Sequence, residues 1–185
     1  IHLLGMYTAR VGPEWSSGGQ RQGDYLHHID IVLAGRRQVV CGNQVHHLEP
    51  GQIWFLPGNT PVERRCEEPC NVLFFRFCCE CLPGVDPLLD WPGREPRMAA
   101  KCDLDEWREW TSEDRTIGVA DLLLLRGRLL AWLVTAVPEL DDVVTRHLAS
   151  HSQFTGVFDL IERELGADLR LSALAENYGT TVEAF

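Results

Sequence analysis

Two pairs of adjacent histidines in this sequence could contribute ligands to a metal ion. His27 and His28 lie in "YLHHIDIVLAG", and His46 and His47 lie in "NQVHHLE". The pattern of both stretches is typical of β-strands, in which neighbouring side chains point to opposite faces. Only one histidine of each pair can therefore face the interior of the protein. Because these motifs cannot supply three ligands to one ion, we expect neither a metal nor another cofactor.

The seven cysteines raise the alternative of a zinc site. Cys66 and Cys70 form a C-x3-C motif, and Cys78, Cys79 and Cys81 form C-C-x-C at the end of an apolar stretch. Neither spacing is the paired C-x2-C of zinc ribbons and fingers. The pattern favours buried free thiols, which pack as small apolar side chains. A redox or metal role of this cluster stays open at this point.

A β-rich half of the chain must position these side chains. Residues 1 to 82 consist of short apolar or alternating stretches separated by turn signals, and "RQVVCGNQVHHLE" contains the two-residue hairpin signal Gly42–Asn43. The run "GQIWFLPG" ends at Pro57 and Gly58, and "CNVLFFRFC" is the strongest predicted strand. Many short strands with regular turns predict an all-β barrel or sandwich.

Helices follow Pro83. Residues 84 to 97 are rich in proline and glycine and are predicted to be a surface connection, and "DLDEWREW" is predicted to be a short helix with an acidic cap. Residues 117 to 137 are predicted to form a long helix with two apolar stripes. The first stripe contains Leu122, Leu125, Leu129, Leu133 and Ala136, and the second contains Leu123, Leu130, Val134 and Val137.

One of these stripes can cover the β-rich half while the other meets a partner. We expect a homodimer in which Leu122, Leu125, Leu129 and Leu133 are the contacts. A single buried helix would also explain both stripes, so the pattern alone does not decide between the two arrangements.

The last part of the sequence is predicted to be helical. Residues 138 to 153 are predicted to be a linker, and residues 154 to 165 an amphipathic helix that ends at Gly166. Ser172 is predicted to cap the next helix, and Gly179 to form a tight turn before a helix that starts with threonine. This order of a helix, a short turn with glycine and a second helix is typical of the start of a helix-turn-helix. We expect its recognition helix to be incomplete at Phe185.

The charge of the chain argues against DNA binding by these residues alone. It carries 17 Lys and Arg against 27 Asp and Glu, a formal net charge of −10. Phosphate neutralisation requires clustered positive charge, so we expect DNA binding only from a longer protein. The longest apolar run is interrupted by Arg126 and Arg128, which predicts no membrane span. No leader is visible before the folded pattern, and we expect a cytoplasmic protein with reduced thiols.

Both halves of the sequence resemble AraC/XylS-type transcription regulators. The resemblance rests on "YLHHIDIVLAGRRQVVCG", "LEPGQIWFLPGNTPV", "FFRF", "LLDWPG" and "FDLIERELGADLRLSALAENYGTTVEAF", which occur in the order of the family. It implies a mainly β plus α fold: a cupin-like double-stranded β-barrel (jelly roll) over residues 1–82 and a connection with dimerisation helices over 83–137. A linker over 138–153 and a truncated helix-turn-helix over 154–185 follow, with DNA contacts at Thr180, Thr181 and Glu183.

The resemblance also implies a site for a small-molecule effector inside the barrel. The positions it indicates are Arg21, Tyr25, His27, Arg64, Cys70 and Val72. Sugar-sensing members of the family carry aromatic and polar groups at the last two positions, where cysteine and valine can neither stack on a sugar ring nor bind hydroxyls. Arabinose is therefore disfavoured, and the two arginines favour an anionic or strongly polar effector.

Metal-binding cupins provide the alternative function. They carry two histidines and an acid on one strand and a further histidine after the Pro-Gly turn, where this sequence has Val62. The resemblance therefore implies a sensor without catalytic residues. The alternative is a small cupin enzyme, either an isomerase or a metal-dependent dioxygenase.

Overall fold

The computed structural model describes residues 1–17, 25–82, 84–112, 115–151, 155–163, 170–177 and 179–182. The strands within these ranges are β1 (His2–Val11), β2 (Ser16–Ser17), β3 (His27–Ala34), β4 (Arg37–Cys41), β5 (Gln44–Leu48), β6 (Gln52–Leu56), β7 (Glu63–Cys66), β8 (Cys70–Cys78) and β9 (Arg97–Lys101). The helices are α1 (Leu104–Trp110), α2 (Val119–Ala136), α3 (Leu140–His151), α4 (Thr155–Arg163) and α5 (Leu171–Asn177). They belong to two compact units, Ile1–Asp141 and Asp142–Phe185.

The first unit is built on two antiparallel sheets. Sheet A has the strand order β1-β8-β3-β6-β9, and sheet B has the order β2-β7-β4-β5. Val32 and Val72 of sheet A share one apolar cluster with Val39 and Cys66 of sheet B, so the two sheets pack face to face. The predicted β-rich architecture is confirmed. The sheets share no strand among the described residues, and the arrangement is a two-layer sandwich rather than a closed barrel.

Turn chemistry sets the register of the strands as the sequence predicts. Gly42 has a φ of 56°, a conformation that favours glycine, and it joins β4 to β5 in a two-residue hairpin. Gly35 has a φ of 74°, and a Cβ atom there would overlap the carbonyl oxygen of Pro69. Glycine is therefore required where β3 passes to β4.

The outer face of sheet A is covered by α1 and α2. Phe75 of β8 contacts Trp107 of α1 and Trp132 of α2 through its ring. Asp103 caps α1 by accepting a hydrogen bond from the backbone N–H of Asp105, as the sequence predicts. Burial of this aromatic cluster joins the helices to the sheet.

The apolar face of α2 corrects the predicted dimer contacts. Leu125, Leu129 and Leu133 are buried within the unit, with 1%, 0% and 0% of their surface exposed, because they pack towards sheet A. These three leucines are therefore not available to a partner. Of the predicted contacts only Leu122 is exposed. The second stripe faces outwards at Leu123, Leu130 and Val134, whereas Val137 is buried.

The β-rich unit extends beyond residue 82, where the sequence places its end. Strand β9 pairs with β6 and completes sheet A. The preceding segment is not a mere surface connection, because Asp86, Leu88 and Trp91 are buried. The prediction failed here because the many prolines and glycines of the segment indicate a loop, but not whether its side chains are needed in the core.

The second unit contains the helices that follow. Helix α3 occupies most of residues 138–153, the predicted linker, and α4 matches the predicted amphipathic helix. Ser172 lies inside α5 rather than at its cap, since Leu171 already begins the helix and Arg170 accepts the first backbone hydrogen bonds. Gly179 has a φ of 72° and forms the predicted turn.

The predicted DNA contacts lie next to this turn. Thr180 and Thr181 follow it without forming a helix, and Glu183 lies outside the described residues. Among the helices in the described ranges, none has the length and apolar character that crossing a bilayer requires.

Candidate ligand-binding cavity

A cavity of about 120 Å³ lies between the two sheets of the first unit. Its lining combines apolar and charged side chains: Ala9, Val11, Trp15, His28, Asp30, Arg37, Arg64, Val72 and Phe74. The volume is below the roughly 300–1,000 Å³ of pockets for drug-sized ligands. The cavity is suited to a small molecule with both an apolar and a polar part.

Strand alternation determines which side chains reach this cavity. In β3 the even-numbered residues His28 and Asp30 face it, whereas the odd-numbered Ile29 and Ile31 lie on the opposite face of sheet A. Strand β8 pairs with β3 and follows the same rule, with Val72 and Phe74 in the cavity lining. One face of two central strands therefore supplies the floor of the cavity.

A buried charge cluster dominates the polar part of the lining. Arg37 donates a hydrogen bond from Nη1 to Oδ2 of Asp30 at 2.8 Å. The Nε atom of Arg64 lies 3.9 Å from the same oxygen. The exposed fractions of the Asp30, Arg37 and Arg64 residues are 1%, 6% and 8%. The described lining therefore contains two guanidinium groups and one carboxylate in addition to the imidazole of His28.

Two polar atoms of this cluster have no hydrogen-bond partner among the described protein atoms. They are Oδ1 of Asp30, an acceptor, and Nε of Arg37, a donor. An unsatisfied buried polar group costs roughly 1–3 kcal/mol, and more when the group is charged. Buried ion pairs are favourable only when their remaining donors and acceptors are also satisfied. The cluster is therefore chemically incomplete on protein contacts alone.

Aromatic side chains form part of the apolar wall. The guanidinium carbon of Arg37 lies 5.1 Å from the centre of the Trp15 ring, which restricts the orientation of this arginine. Phe74 stacks on Tyr7 with ring centres 5.3 Å apart. The charged cluster is thus held by a partly apolar surround, in which an electrostatic interaction is stronger than in water.

His27 is a structural residue and not a cavity residue, which corrects the predicted strand parity. It is fully buried on the other face of β3, between Phe55 and Phe77. The backbone N–H of Gly58 donates to Nδ1 at 2.8 Å, so the ring proton is on Nε2, which lies 2.9 Å from Oδ2 of Asp86. Both ring nitrogens are satisfied within the protein, and neither is available to a ligand.

Asp86 is the partner that holds His27 in place. It also accepts hydrogen bonds from the backbone N–H groups of Cys79 and Leu88. Burial alone would raise the pKa of Asp86, but the hydrogen bonds from His27 and the two backbone groups lower it overall. The ionised carboxylate therefore fixes the loop after β8 against β3.

The other predicted ligand-binding residues divide into three groups. Arg64 and Val72 line the cavity. Tyr25 is 65% exposed, and Cys70 belongs to the apolar cluster beside the cavity. Neither of these two side chains is part of the described lining of the cavity. Arg21 lies outside the described residues.

Sequence reasoning did not find Trp15, His28, Asp30 and Arg37. For His28 and Asp30 the signal was present, since they share one parity of β3 and an acid in an apolar strand requires a buried partner. Arg37 is that partner, seven residues along the chain. No pattern in the sequence distinguishes it from Arg36 without the register of β4.

Two of the seven thiols of this unit, Cys66 and Cys70, are buried, and the other five are partly buried. Burial raises the pKa of Cys70 to about 12 and that of Cys79 to about 11. A thiol with such a pKa remains protonated at neutral pH and is a poor nucleophile or metal ligand. Among the described residues no group of three or more His, Cys, Asp or Glu side chains is arranged to hold a metal ion, and Val62 is a buried core residue.

A second, more open groove of about 390 Å³ lies at the start of α2. It is lined largely by apolar residues: Leu3, Leu4, Gly5, Met6, Ile117, Val119, Leu122, Leu123, Leu125 and Arg126. Three exposed apolar residues of α2, Leu123, Leu130 and Val134, continue from the groove along the helix. We call these three residues the outer stripe of α2.

In comparison with known proteins, this chain is similar to several solved structures. No protein-family model and no curated protein matches the chain. A cupin-2 domain protein from Shewanella frigidimarina is 17% identical over 38% of this chain and 66% of its own, with a TM-score of 0.34. The chain thus covers slightly less than two thirds of that protein.

Two further solved structures are similar over comparable parts of the chain. KdgF from a Halomonas species is 18% identical over 38% of this chain and 67% of its own, with a TM-score of 0.34. A putative glyoxylate induced protein from Pseudomonas aeruginosa is 19% identical over 51% of this chain and 34% of its own, with a TM-score of 0.41.

Proposed function

We propose that this chain is the ligand-sensing, dimerising regulatory part of an AraC-type DNA-binding transcription regulator. In this role the cavity between the sheets binds a small effector and performs no chemistry on it. The protein acts in the cytoplasm, and effector binding shifts an equilibrium between two arrangements of the dimer. The proposal joins the sequence resemblance to the geometry of the first unit.

The observation that carries this proposal is that β3 and β8 each contact the cavity and the helical layer with adjacent residues. In β8, Phe74 lines the cavity, and Phe75 contacts Trp107 and Trp132 of the two helices. In β3, Asp30 lines the cavity between Ile29 and Ile31 of the opposite face. A ligand that displaces either strand by a fraction of an ångström therefore also displaces the surface on which α1 and α2 pack.

A second copy of the chain is the proposed partner of the outer stripe of α2. Leu123, Leu130 and Val134 are 63%, 48% and 59% exposed on a helix whose other apolar face is already buried. Their spacing of seven and four residues places them on one side of the helix, as in a helix pair. A dimer formed in this way would transmit a change in the helical layer to both subunits.

DNA binding tests the regulatory part of the proposal. The formal net charge of −10 opposes binding to a duplex, so this chain alone is expected to give no specific complex. A protein that continues through complete helix-turn-helix motifs should bind paired half-sites in a salt-sensitive manner. Gel-shift measurements on the two chains at moderate salt provide the comparison. Tight specific binding by the short chain, or none by the extended one, would contradict the proposal.

A cupin enzyme is the alternative function, and the presence of His28 and Asp30 in the same cavity is the observation that favours it. A histidine and a carboxylate side by side can act as a general base and acid. Elemental analysis after purification without chelators distinguishes the two functions in the metal-dependent case. Stoichiometric iron, zinc or manganese bound in the cavity would support the enzyme, whereas the sensor requires none.

A further inference from the structure

Two side chains of the cavity lining have polar atoms that the described protein does not satisfy. Asp30 and Arg37 are 1% and 6% exposed, and both line the cavity. Their hydrogen bond joins Nη1 to Oδ2 at 2.8 Å and leaves Oδ1 of Asp30 and Nε of Arg37 without a partner among the described residues. Both atoms belong to the two groups that this bond joins, so one small molecule can reach them. A ligand that satisfies both removes the cost of leaving them unpaired.

The two atoms make opposite demands on such a ligand. Oδ1 is an acceptor and requires a donor, whereas Nε is a donor and requires an acceptor. A carboxylate has no proton for Oδ1, and an ammonium group has no acceptor for Nε. A hydroxyl group meets both demands, since its proton donates to Oδ1 while its oxygen accepts from Nε. A primary amide also meets both, but it brings a second N–H that requires a further buried acceptor.

The rest of the described lining limits the body that carries this hydroxyl. Five of the nine lining residues present apolar surface: Ala9, Val11, Trp15, Val72 and Phe74. A short alkyl group buries this surface, whereas each additional hydroxyl would be desolvated against carbon. Water meets the same demands as a hydroxyl group but has no alkyl group to cover the apolar lining. The cavity volume of about 120 Å³ requires that the alkyl group be small.

We propose that the cavity binds a small aliphatic alcohol, whose hydroxyl bridges Oδ1 of Asp30 and Nε of Arg37. The alkyl group of this alcohol lies against the apolar lining and removes it from water. The inference rests on the proposed function for its assumption that the cavity is the effector site, but the recognition of the alcohol is independent of DNA binding.

Isothermal titration of this chain with isomeric probes tests the ligand class. The alcohols 1-butanol and 2-butanol are compared with methyl propyl ether, which contains the same atoms and an acceptor oxygen but no donor. At least one of the alcohols is expected to bind about tenfold or more tightly than the ether, as for a hydrogen bond to a charged group. Erythritol has the same number of carbon atoms with a hydroxyl on each, and it is expected to bind more weakly than the alcohol.

Two arginine variants locate the binding. Arg37→Lys keeps a positive charge beside Asp30 but removes Nε, the donor that both the alcohol and the ether use, so the two should lose about tenfold in affinity alike. Arg36→Lys is the matched control, because it is the same substitution at the preceding, exposed residue. Binding to Arg36→Lys should equal binding to the unaltered chain. If Arg37→Lys fails to fold, Ala9→Leu fills part of the cavity and should weaken binding of the alcohol instead.

Several results would overturn the proposal. They are the absence of binding by both alcohols, equal binding by the ether, tighter binding by butyrate or butyramide, and equal binding to Arg37→Lys and Arg36→Lys. Tighter binding by erythritol than by the alcohols would overturn the ligand class and leave the sensing function intact. Binding of the alcohols together with no DNA binding by the extended protein would do the opposite.

Discussion

The two faces of strand β3 are both buried, but they differ in how their polar groups are satisfied. On the face towards the helices, His27 uses both ring nitrogens in hydrogen bonds to Gly58 and Asp86. On the face towards sheet B, Asp30 bonds to Arg37 through one oxygen, and its other oxygen has no described protein partner. Burial alone therefore does not distinguish a structural polar residue from a ligand-binding one. The distinction is whether all donors and acceptors of the side chain have hydrogen-bond partners within the protein.

The same difference extends across the first unit. The helical face of sheet A is filled by aromatic and leucine side chains that contact one another. The opposite face contains a cavity in which charge is concentrated. We therefore expect substitutions on the helical face to act on stability, and those on the cavity face to act on stability and binding together.

The largest expected effect on stability is from Asp30→Asn. Removing the carboxylate takes away the counter-charge to which the buried guanidinium group of Arg37 is hydrogen-bonded, which should lower the free energy of unfolding by about 3–5 kcal/mol. Urea denaturation followed by circular dichroism measures the loss. Glu63→Gln is the matched control, because it breaks a carboxylate–arginine pair at the surface of the same sandwich and should have little effect. Similar losses in the two variants would show that burial of the charge cluster is not what stabilises it.

The next effect concerns the helical face. Leu129 is fully buried, so Leu129→Ala should lower the free energy of unfolding by about 2–5 kcal/mol through lost contacts and a cavity. Leu130→Ala, one residue along the same helix at a 48% exposed position, should change it by about 0.5 kcal/mol or less. Comparing the two free energies of unfolding by urea denaturation shows which side of α2 packs against sheet A. Equal effects would contradict the packing of α2 against sheet A.

A smaller effect is expected from pH at Asp86. Its pKa in the folded protein lies below its ordinary value of 3.8, so the ionised form is the one that stabilises the fold. This contribution is fully present above pH 3.8 and is lost as the pH falls through the pKa of the folded protein. Asp86→Asn should lower the free energy of unfolding by about 1–3 kcal/mol near neutral pH.

The difference in free energy of unfolding between Asp86→Asn and the unaltered chain should decrease on acidification. Urea denaturation at neutral pH and at pH values below 3.8 measures the change. Asp90→Asn in the same loop, at an exposed carboxylate, controls for the general loss of charge. A difference that stays constant over this range would contradict the assignment of Asp86 as an ionised partner of His27.

The outer stripe of α2 should influence assembly with little effect on folding. Leu130→Glu places a charge on an exposed position, so the folded monomer should retain its stability. In a dimer that buries the outer stripe, the same charge would lack a partner and association should be lost. Sedimentation velocity of Leu130→Glu and of the unaltered chain measures the change. A dimer that persists in the variant would show that the outer stripe is not the interface.

The sequence predicts those structural features that depend on residues close together along the chain. The β-rich half, the hairpin at Gly42, the capped helix α1 and the long helix α2 are recoverable because turn residues, caps and apolar periodicity act over a few residues. The two stripes of α2 are also correct apart from Leu122, which is exposed, and Val137, which is buried. Their assignment to the core and to a partner was reversed for Leu125, Leu129 and Leu133, since periodicity gives a face but not its neighbour.

The cavity required information that is not local. A shift of one residue in parity exchanges His27 for His28, and the acid Asp30 in the same apolar strand is the sequence signal that indicates the parity. Arg37 reaches Asp30 only because β4 of sheet B lies opposite β3 of sheet A. The charge of the effector was predicted from Arg21 and Arg64, and Arg64 does line the cavity. Arg37, the hydrogen-bond partner of Asp30, becomes visible only in the packed sandwich.

Hydrogen exchange of the backbone amides tests most directly whether β3 and β8 connect the cavity to the helical layer. The measurement compares this chain without and with a saturating concentration of an effector identified by a thermal-shift screen of alcohols, sugars and organic acids, and Arg64→Gln under the same conditions provides the control. Our account predicts slower exchange in β3 and β8 and also in α2 around Leu125, Leu129 and Leu133, with no change in the variant. Protection by the effector that stays confined to the cavity strands, with α2 unaffected, would contradict it.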